Sequence, residues 1–264
     1  MTVEAGAIVN RQHTGDRGDD GAGLGFAPIQ QLRAHEYVAE QVRRHVALRL
    51  IAPGEALPPE RELAATFGVG RPTIQHALRL LEADRLVEAR RGRHGGTFVS
   101  QPAENARAMD ELLTRLLHER SELEDALAYR RLIEPRVARE AARTRTRDDL
   151  AAISGAIAAM ASATSEPDYM RHDTEFHLGV ARATHNRFLL SAIEDVRLCL
   201  NDAMSLLPES DTWHRRLSGE HEAILAAIKA RDGDAAEHAM DLHVAASELS
   251  LRALMTAIKR RLGS

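Results

Sequence analysis

Between residues 101 and 264 the chain contains only five glycines, at 155, 179, 219, 233 and 263, and four prolines, at 102, 135, 167 and 208. Ala-, Leu- and Arg-rich stretches with a 3.6-residue apolar period run between them. So few breakers combined with that period leave little room for sheet and imply an all-helical bundle. The spacing predicts about seven helices, near 105–118, 121–143, 147–163, 167–184, 187–207, 211–231 and 233–260. Pro135 falls inside the second and should kink it. No convincing internal repeat is present.

The first hundred residues read differently. Residues 1–27 hold six of the seventeen glycines and little apolar pattern, and are expected to be a disordered tail. From Gln31 to Leu50 apolar residues recur at helical spacing, and Ile51 to Pro59 should stop that helix and form an extended connection. Glu60–Phe67 reads as a short helix, Gly68–Gly70 as a tight turn, and Arg71–Ala83 as a second helix with Pro72 in its first turn. Leu86–Ala89 and Thr97–Val99 read as two short strands around Arg90–Gly96. This order is that of a winged helix-turn-helix, whose second helix presents its first residues to the major groove. The fold class expected is therefore mainly α: a tail at 1–27, a winged helix-turn-helix at 28–100, and a helical bundle at 101–264.

Charge supports the division. The net charge of −4 separates into −2 for residues 1–27, +3 for 28–100 and −5 for 101–264. A basic segment beside an acidic one points to nucleic acid at one end of the chain only. With aromatics at 3%, platforms that stack single-stranded bases are excluded. The single cysteine, Cys199, excludes a disulfide framework and a cysteine zinc finger, and fits a reducing cytoplasm. It is expected to be a small buried hydrophobe. No apolar run is long enough to span a membrane, and the first residues do not resemble a signal peptide. Trp213 is expected to pack at a helix start.

Arg61, Arg71 and Arg79 surround the helix-turn-helix, with Thr73, Gln75 and His76 at the exposed start of its second helix. The strings Leu57-Pro-Pro-Glu-Arg-Glu-Leu-Ala64, Phe67-Gly-Val-Gly-Arg-Pro-Thr-Ile-Gln-His-Ala-Leu-Arg-Leu-Leu81 and Gly92 through Val99 resemble the GntR family of bacterial transcription regulators. The resemblance implies a dimer that binds a palindromic operator in double-stranded DNA. It implies DNA contacts from Arg61, Arg71, Thr73 and Gly92. Three positions depart from the pattern. Gly70 replaces a Ser or Thr cap, Gln75 replaces a frequent DNA-contacting Arg, and His76 replaces a frequent Glu. Gln75 remains a candidate DNA contact, able to read adenine.

In the helical part Asp173 and His177 are four residues apart and share one helix face. With thirteen histidines in the chain, such a pair is often a surface or capping pair, and His172, His185, His214 and His238 are equally eligible partners. A resemblance narrows the choice. Asp173-Thr-Glu-Phe-His177, Glu220-His-Glu-Ala-Ile-Leu-Ala-Ala-Ile228, Gly233-Asp234 and His243 are similar to the FCD effector domain of the FadR-like branch, as are Ala128–Pro135 and Asn186. The resemblance implies that Asp173, His177, His221 and His243 hold a divalent ion, zinc first, with nickel, cobalt or manganese as alternatives. It also implies that Arg130 pairs with the carboxylate of a small organic acid. A helix salt bridge from Arg130 to Glu134 is the plain alternative, with Arg131 a competitor for the role. Asn201 and Asp202 lie in a helix that faces the same region.

The expectation is a ligand-responsive DNA-binding homodimer, a repressor, with no membrane partner and no catalytic residues. Two other readings remain at this stage. The ion itself could be the signal, or a metal-activated water could make the chain a hydrolase.

Overall fold

The computed structural model describes residues 33–92, 95–101, 106–207 and 211–262, with side chains throughout except at 106–109, 211–218 and 261–262. The tail expected at 1–27, the Trp213 and His214 side chains, and residues 93 and 94 of the wing lie outside the described residues. The described part belongs to one compact unit, Arg33–Ser264. It is mainly α, with ten helices and one two-stranded sheet among the described residues.

The winged helix-turn-helix is built from α1 (Ala34–Ala47), α2 (Glu60–Phe67), α3 (Arg71–Ala83), β1 (Val87–Arg90) and β2 (Gly96–Val99). The strands pair antiparallel, Val87 opposite Val99 and Arg90 opposite Gly96, and Ala56 adds a single bridge to Phe98. Val38, Val42, Leu63, Ile74, Leu81, Val87 and Val99 form its own core. The turn between α2 and α3 depends on Gly68, which sits at φ 64°. A side chain there meets no neighbour within 4 Å, so only backbone strain opposes it. Gly68→Ala should destabilise the chain by about 1–2 kcal/mol, measurable as a lowered denaturant midpoint at unchanged slope. The first helix ends sooner than its apolar pattern suggests. It closes at Ala47, and Arg49 turns the chain at φ 61° before the Pro-Gly segment begins.

The bundle comprises α4 (Ala106–His118), α5 (Arg120–Thr144), α6 (Arg147–Ser162), α7 (Glu166–Arg182), α8 (Arg187–Met204), α9 (Asp211–Ala230) and α10 (Gly233–Leu262). All seven match the sequence expectation to within a few residues. Caps account for several of the ends. Thr146 and Asp149 form a capping box on α6, Ser165 caps α7, and Asn186 accepts from the amides of Phe188 and Leu189 to start α8. Helix α5 is central and packs against α7, α8, α9 and α10. It runs through the buried Pro135 without a break. Gly233 begins α10 against α5, where a Cβ would lie 3.1 Å from Cγ of Arg139 and 3.4 Å from its carbonyl oxygen. The Gly-Asp motif therefore has a packing reason.

Candidate metal centre and DNA-reading face

Helix α7 places Asp173 and His177 one turn apart on its inner face, α9 supplies His221 and α10 supplies His243. All four are buried. One ring nitrogen from each of the three histidines lies within 4.8 Å of the others. Oδ1 of Asp173 lies 3.8 Å from Nε2 of His177 and 3.5 Å from Nε2 of His221. The resemblance named four residues from distant stretches of chain, and the fold brings those four together. Of the competing histidines, His172 lies against Asp168 and Glu175, His185 against Asp149, and His238 is exposed.

Two carboxylates orient the rings. Nδ1 of His177 lies 2.9 Å from Oε2 of Glu134, and Nδ1 of His243 lies 3.0 Å from Oε2 of Glu220. An ionised carboxylate only accepts, so the bond to Glu220 puts the His243 proton on Nδ1 and its lone pair on Nε2, whereas Nδ1 of His177 lies beside Glu134 without the alignment of a hydrogen bond. The two Nε2 atoms then face each other at 3.4 Å. That contact is a hydrogen bond if His177 carries its proton on Nε2, and with both lone pairs free the two nitrogens converge on a point that a cation could fill. Neither ring nitrogen of His221 has a hydrogen-bond partner among the described residues. These donors fit a divalent ion with nitrogen and oxygen preference, and no thiolate is required.

Electrostatics keep the ligands in their binding forms. Burial opposes ionisation of Asp173, but Arg197 and the three histidines outweigh it and hold the carboxyl well below its usual range. Burial likewise opposes ionisation of Glu134, and Arg130 and His177 outweigh it. Burial first, then His243, pushes His221 well below the ordinary imidazole value. Burial, His177 and Arg130 bring His243 down to about 3. His221 and His243 are therefore neutral and Asp173 is charged near pH 7, the state in which each can donate to a cation.

Arg130 is fully buried beside this centre. Its Nε donates to Oε1 of Glu134 at 2.8 Å and its Nη1 to Oγ of Ser247 at 2.9 Å. The salt bridge weighed from sequence is thus present, yet Nη2 has no hydrogen-bond partner among the described residues. Arg131, the competitor, is turned outward to Asp241 and Glu248. Cys199 departs from expectation. It is half-buried, with Sγ 3.8 Å from Oε1 of Glu122, and burial followed by Glu122 pushes its thiol up to about 11.

Sequence reasoning did not single out Arg197, which is fully buried on α8 and donates from Nη2 to Oδ2 of Asp173 at 2.7 Å and to Oγ1 of Thr174 at 3.0 Å. Its signal was available: a charged residue on the same helix face as Ile193, Val196 and Leu200. Asn201 and Asp202 diverge. Asn201 is buried beside Thr174, whereas Asp202 pairs with Arg49 and Arg115.

At the other end Arg71, Gln75, His76 and Arg79 are exposed on α3, and Arg61 is exposed on α2. Thr73 is only half exposed, and its backbone N–H donates to the Gly70 carbonyl at 3.0 Å in the first turn. Gly70 occupies the cap position with extended backbone and no side-chain bond. Gly92 stands in the wing turn at φ 114°, a conformation that favours glycine. Glu60, absent from the sequence expectation, accepts from Nε2 of Gln75 at 3.0 Å and from Nη2 of Arg71 at 3.4 Å. His76 stacks on His35 of α1 with centroids 3.8 Å apart, and desolvation first, then His35, Arg79 and Arg33, lowers its pKa. A neutral ring suits packing rather than a phosphate.

Comparison with known proteins agrees with both halves. Residues 34–99 match the model of the bacterial regulatory proteins of the gntR family, and residues 125–246 match the FCD domain. The chain is 32% identical to the Uxu operon transcriptional regulator of Escherichia coli K12, covering 80% of this chain and 84% of that one. It is 32% identical to the HTH-type transcriptional regulator LutR of Bacillus subtilis 168, over 74% of this chain and 90% of that one. It is 31% identical to the galactonate operon transcriptional repressor of E. coli K12, over 76% and 89%. The family consists of transcription regulators, which removes the hydrolase reading, and no helix among the described residues is long and apolar enough to cross a membrane. The chain belongs to the GntR family of bacterial transcription regulators, with a DNA-binding winged helix followed by an FCD domain.

Proposed function

We propose that the chain is a homodimeric repressor whose hold on a palindromic operator is loosened by a small organic carboxylate. The acid is captured at a divalent ion held by Asp173, His177, His221 and His243, with Arg130 beside it. The convergence of four buried donors, two of them oriented by carboxylates, carries this reading. The ion would supply attraction for carboxylate oxygens. Arg130 would supply the unused Nη2 N–H, a charge-assisted donor in a site of low dielectric. One relative is named for the galactonate operon, and galactonate is a hydroxylated carboxylate of the kind such a pocket suits. Because coupling is reciprocal, a tenfold loss of operator affinity on acid binding requires about 1.4 kcal/mol, and operator must weaken the acid by the same factor.

A thermal-shift screen of sugar acids, hydroxy acids and dicarboxylates on zinc-loaded protein tests it. A ligand raises the melting temperature by mass action and should release operator at matching concentrations. Acids that stabilise chelated and zinc-loaded protein equally would remove the metal from the reading. Operator affinity that changes with zinc and with no acid would make the ion the signal. Arg130→Lys keeps the charge beside Glu134 but loses the planar fork. It should weaken the acid about 10- to 100-fold, the value of one or two charge-assisted hydrogen bonds, with zinc content unchanged.

In the operator, Arg71 and Gln75 are the proposed base readers, with Arg61, Thr73 and Gly92 on the backbone. Glu60 only accepts, so the Gln75 amide nitrogen faces it and the amide oxygen is left for a base-edge donor, adenine N6 or cytosine N4. Gln75→Arg should move the preferred base at that position to guanine, read by selection from a randomised half-site.

A further inference from the structure

The outer side of the metal centre continues into the winged helix. Arg197 holds Oδ2 of Asp173, which leaves Oδ1 turned toward His177 and His221. The same Nη2 reaches Oγ1 of Thr174. That oxygen also accepts from Nδ2 of Asn201 at 3.4 Å, and Nδ2 lies 3.4 Å from the backbone oxygen of Ala47. An amide nitrogen has two N–H bonds, so Asn201 can serve both acceptors at once. Arg197, Thr174 and Asn201 are all fully buried, and Ala47 is the last residue of α1. The row therefore runs from a candidate metal-ligand carboxylate through three buried side chains to the solvent-edged last residue of the first DNA-binding-domain helix.

Ion pairs flank this row. Arg44 of α1 meets Glu194 at 2.8 Å and Asp195 at 2.9 Å, and Arg49, just past α1, meets Asp202 at 3.0 Å. Glu194, Asp195, Asn201 and Asp202 recur seven apart on α8, so one face of that helix carries every one of these contacts. Arg171 of α7, two residues before Asp173, adds a pair to Glu55 in the segment between α1 and α2. These pairs are partly exposed and hold the two parts loosely, whereas Arg197, Thr174 and Asn201 are out of water, where a bond made or lost counts for more.

We infer that Arg197, Thr174 and Asn201 are positioning residues that tie the winged helix to the state of the metal centre through the carbonyl of Ala47. The inference rests on the proposed metal reading and adds to it the route by which the centre is sensed. An ion drawing on Oδ1 of Asp173 redistributes the carboxylate between the ion and Arg197. Arg197 shares one nitrogen between Asp173 and Thr174, so its shift changes what Thr174 offers Asn201. The two bonds of Asn201, to Thr174 and to Ala47, are both long at 3.4 Å, so they are the weakest links and respond first.

Zinc is the probe. Wild type, Thr174→Val and Asn201→Ala are each measured for zinc affinity by competition with a chelator. Each is also measured for operator affinity with and without zinc, and for amide hydrogen exchange at the end of α1. Thr174→Val is nearly isosteric, and Asn201→Ala touches no metal ligand, so both should fold and bind zinc within about threefold of wild type. In wild type, zinc should change operator affinity and exchange at Leu48 to Leu50 at least fivefold. In either variant both changes should fall below twofold. Variants that keep the wild-type zinc response overturn the inference while leaving the metal site standing. So does a wild type that binds zinc with no response, or an Asn201→Ala protein that loses zinc. A wild type that takes up no zinc overturns the metal reading itself, and the inference with it.

Discussion

His177→Ala and His243→Ala should each leave purified protein with little zinc, by elemental analysis and by chelator competition. Each ring has Nδ1 beside a carboxylate, at 2.9 Å for His177 and 3.0 Å for His243, and Nε2 aimed at the shared centre. Alanine deletes a direct ligand, so the loss should exceed the 10- to 100-fold that removal of an outer partner costs. The charges left behind add to the effect. In His177→Ala, Glu134 keeps Arg130 but loses its second partner, and the buried carboxylate is then less well compensated. Glu220→Gln provides the graded comparison. It keeps an acceptor beside His243 without the charge, and should weaken zinc by the smaller, outer-partner amount. Full zinc occupancy in both alanine variants would eliminate the site.

Arg71→Ala should abolish specific operator binding and leave zinc binding untouched. Arg71 opens α3 with its side chain 65% exposed, and among the described residues it pairs with Glu60 at 3.4 Å, a bond weak enough to exchange for a base or phosphate. A bidentate guanidinium–guanine pair contributes about 1–3 kcal/mol, and a symmetric dimer loses two, so affinity should fall by about 30-fold to 10⁴-fold. Salt dependence separates the roles. If Arg71 reads a base, the slope against salt is unchanged. If it neutralises phosphate, the slope falls by about 0.9 per contact. Unchanged operator affinity would take Arg71 off the reading face.

The seven bundle helices and the winged helix order were legible because both depend on local rules. Apolar period, caps such as Asn186 and breakers such as Pro59 and Gly68 act within a few residues of chain. The metal set was legible only through its resemblance to a known domain. Composition and spacing placed Asp173 and His177 on one face and went no further, since His172 stands in the same relation to Asp168 and is turned to Asp168 and Glu175. Arg130 was left between two roles from sequence, and the structure shows the salt bridge together with one N–H to spare. Glu60 and Arg197 were missed because each acts through residues distant in sequence or on another helix. Cys199 was misplaced because its apolar neighbours along the chain do not reveal the acidic residue facing it from α5.

The sequence by itself determined the helices, the turn chemistry, the basic and acidic halves, and the absence of thiolate ligands. These follow from backbone conformational preference and composition, which do not depend on what packs against what. The tertiary structure decided which of thirteen histidines face one another, which carboxylates orient them, and that α8 joins the Asp173 carboxylate to the end of α1. The physical reason is burial. A charged or polar group taken out of water must find its partner there, and only the packing of α5, α7, α8, α9 and α10 around one point determines who that partner is.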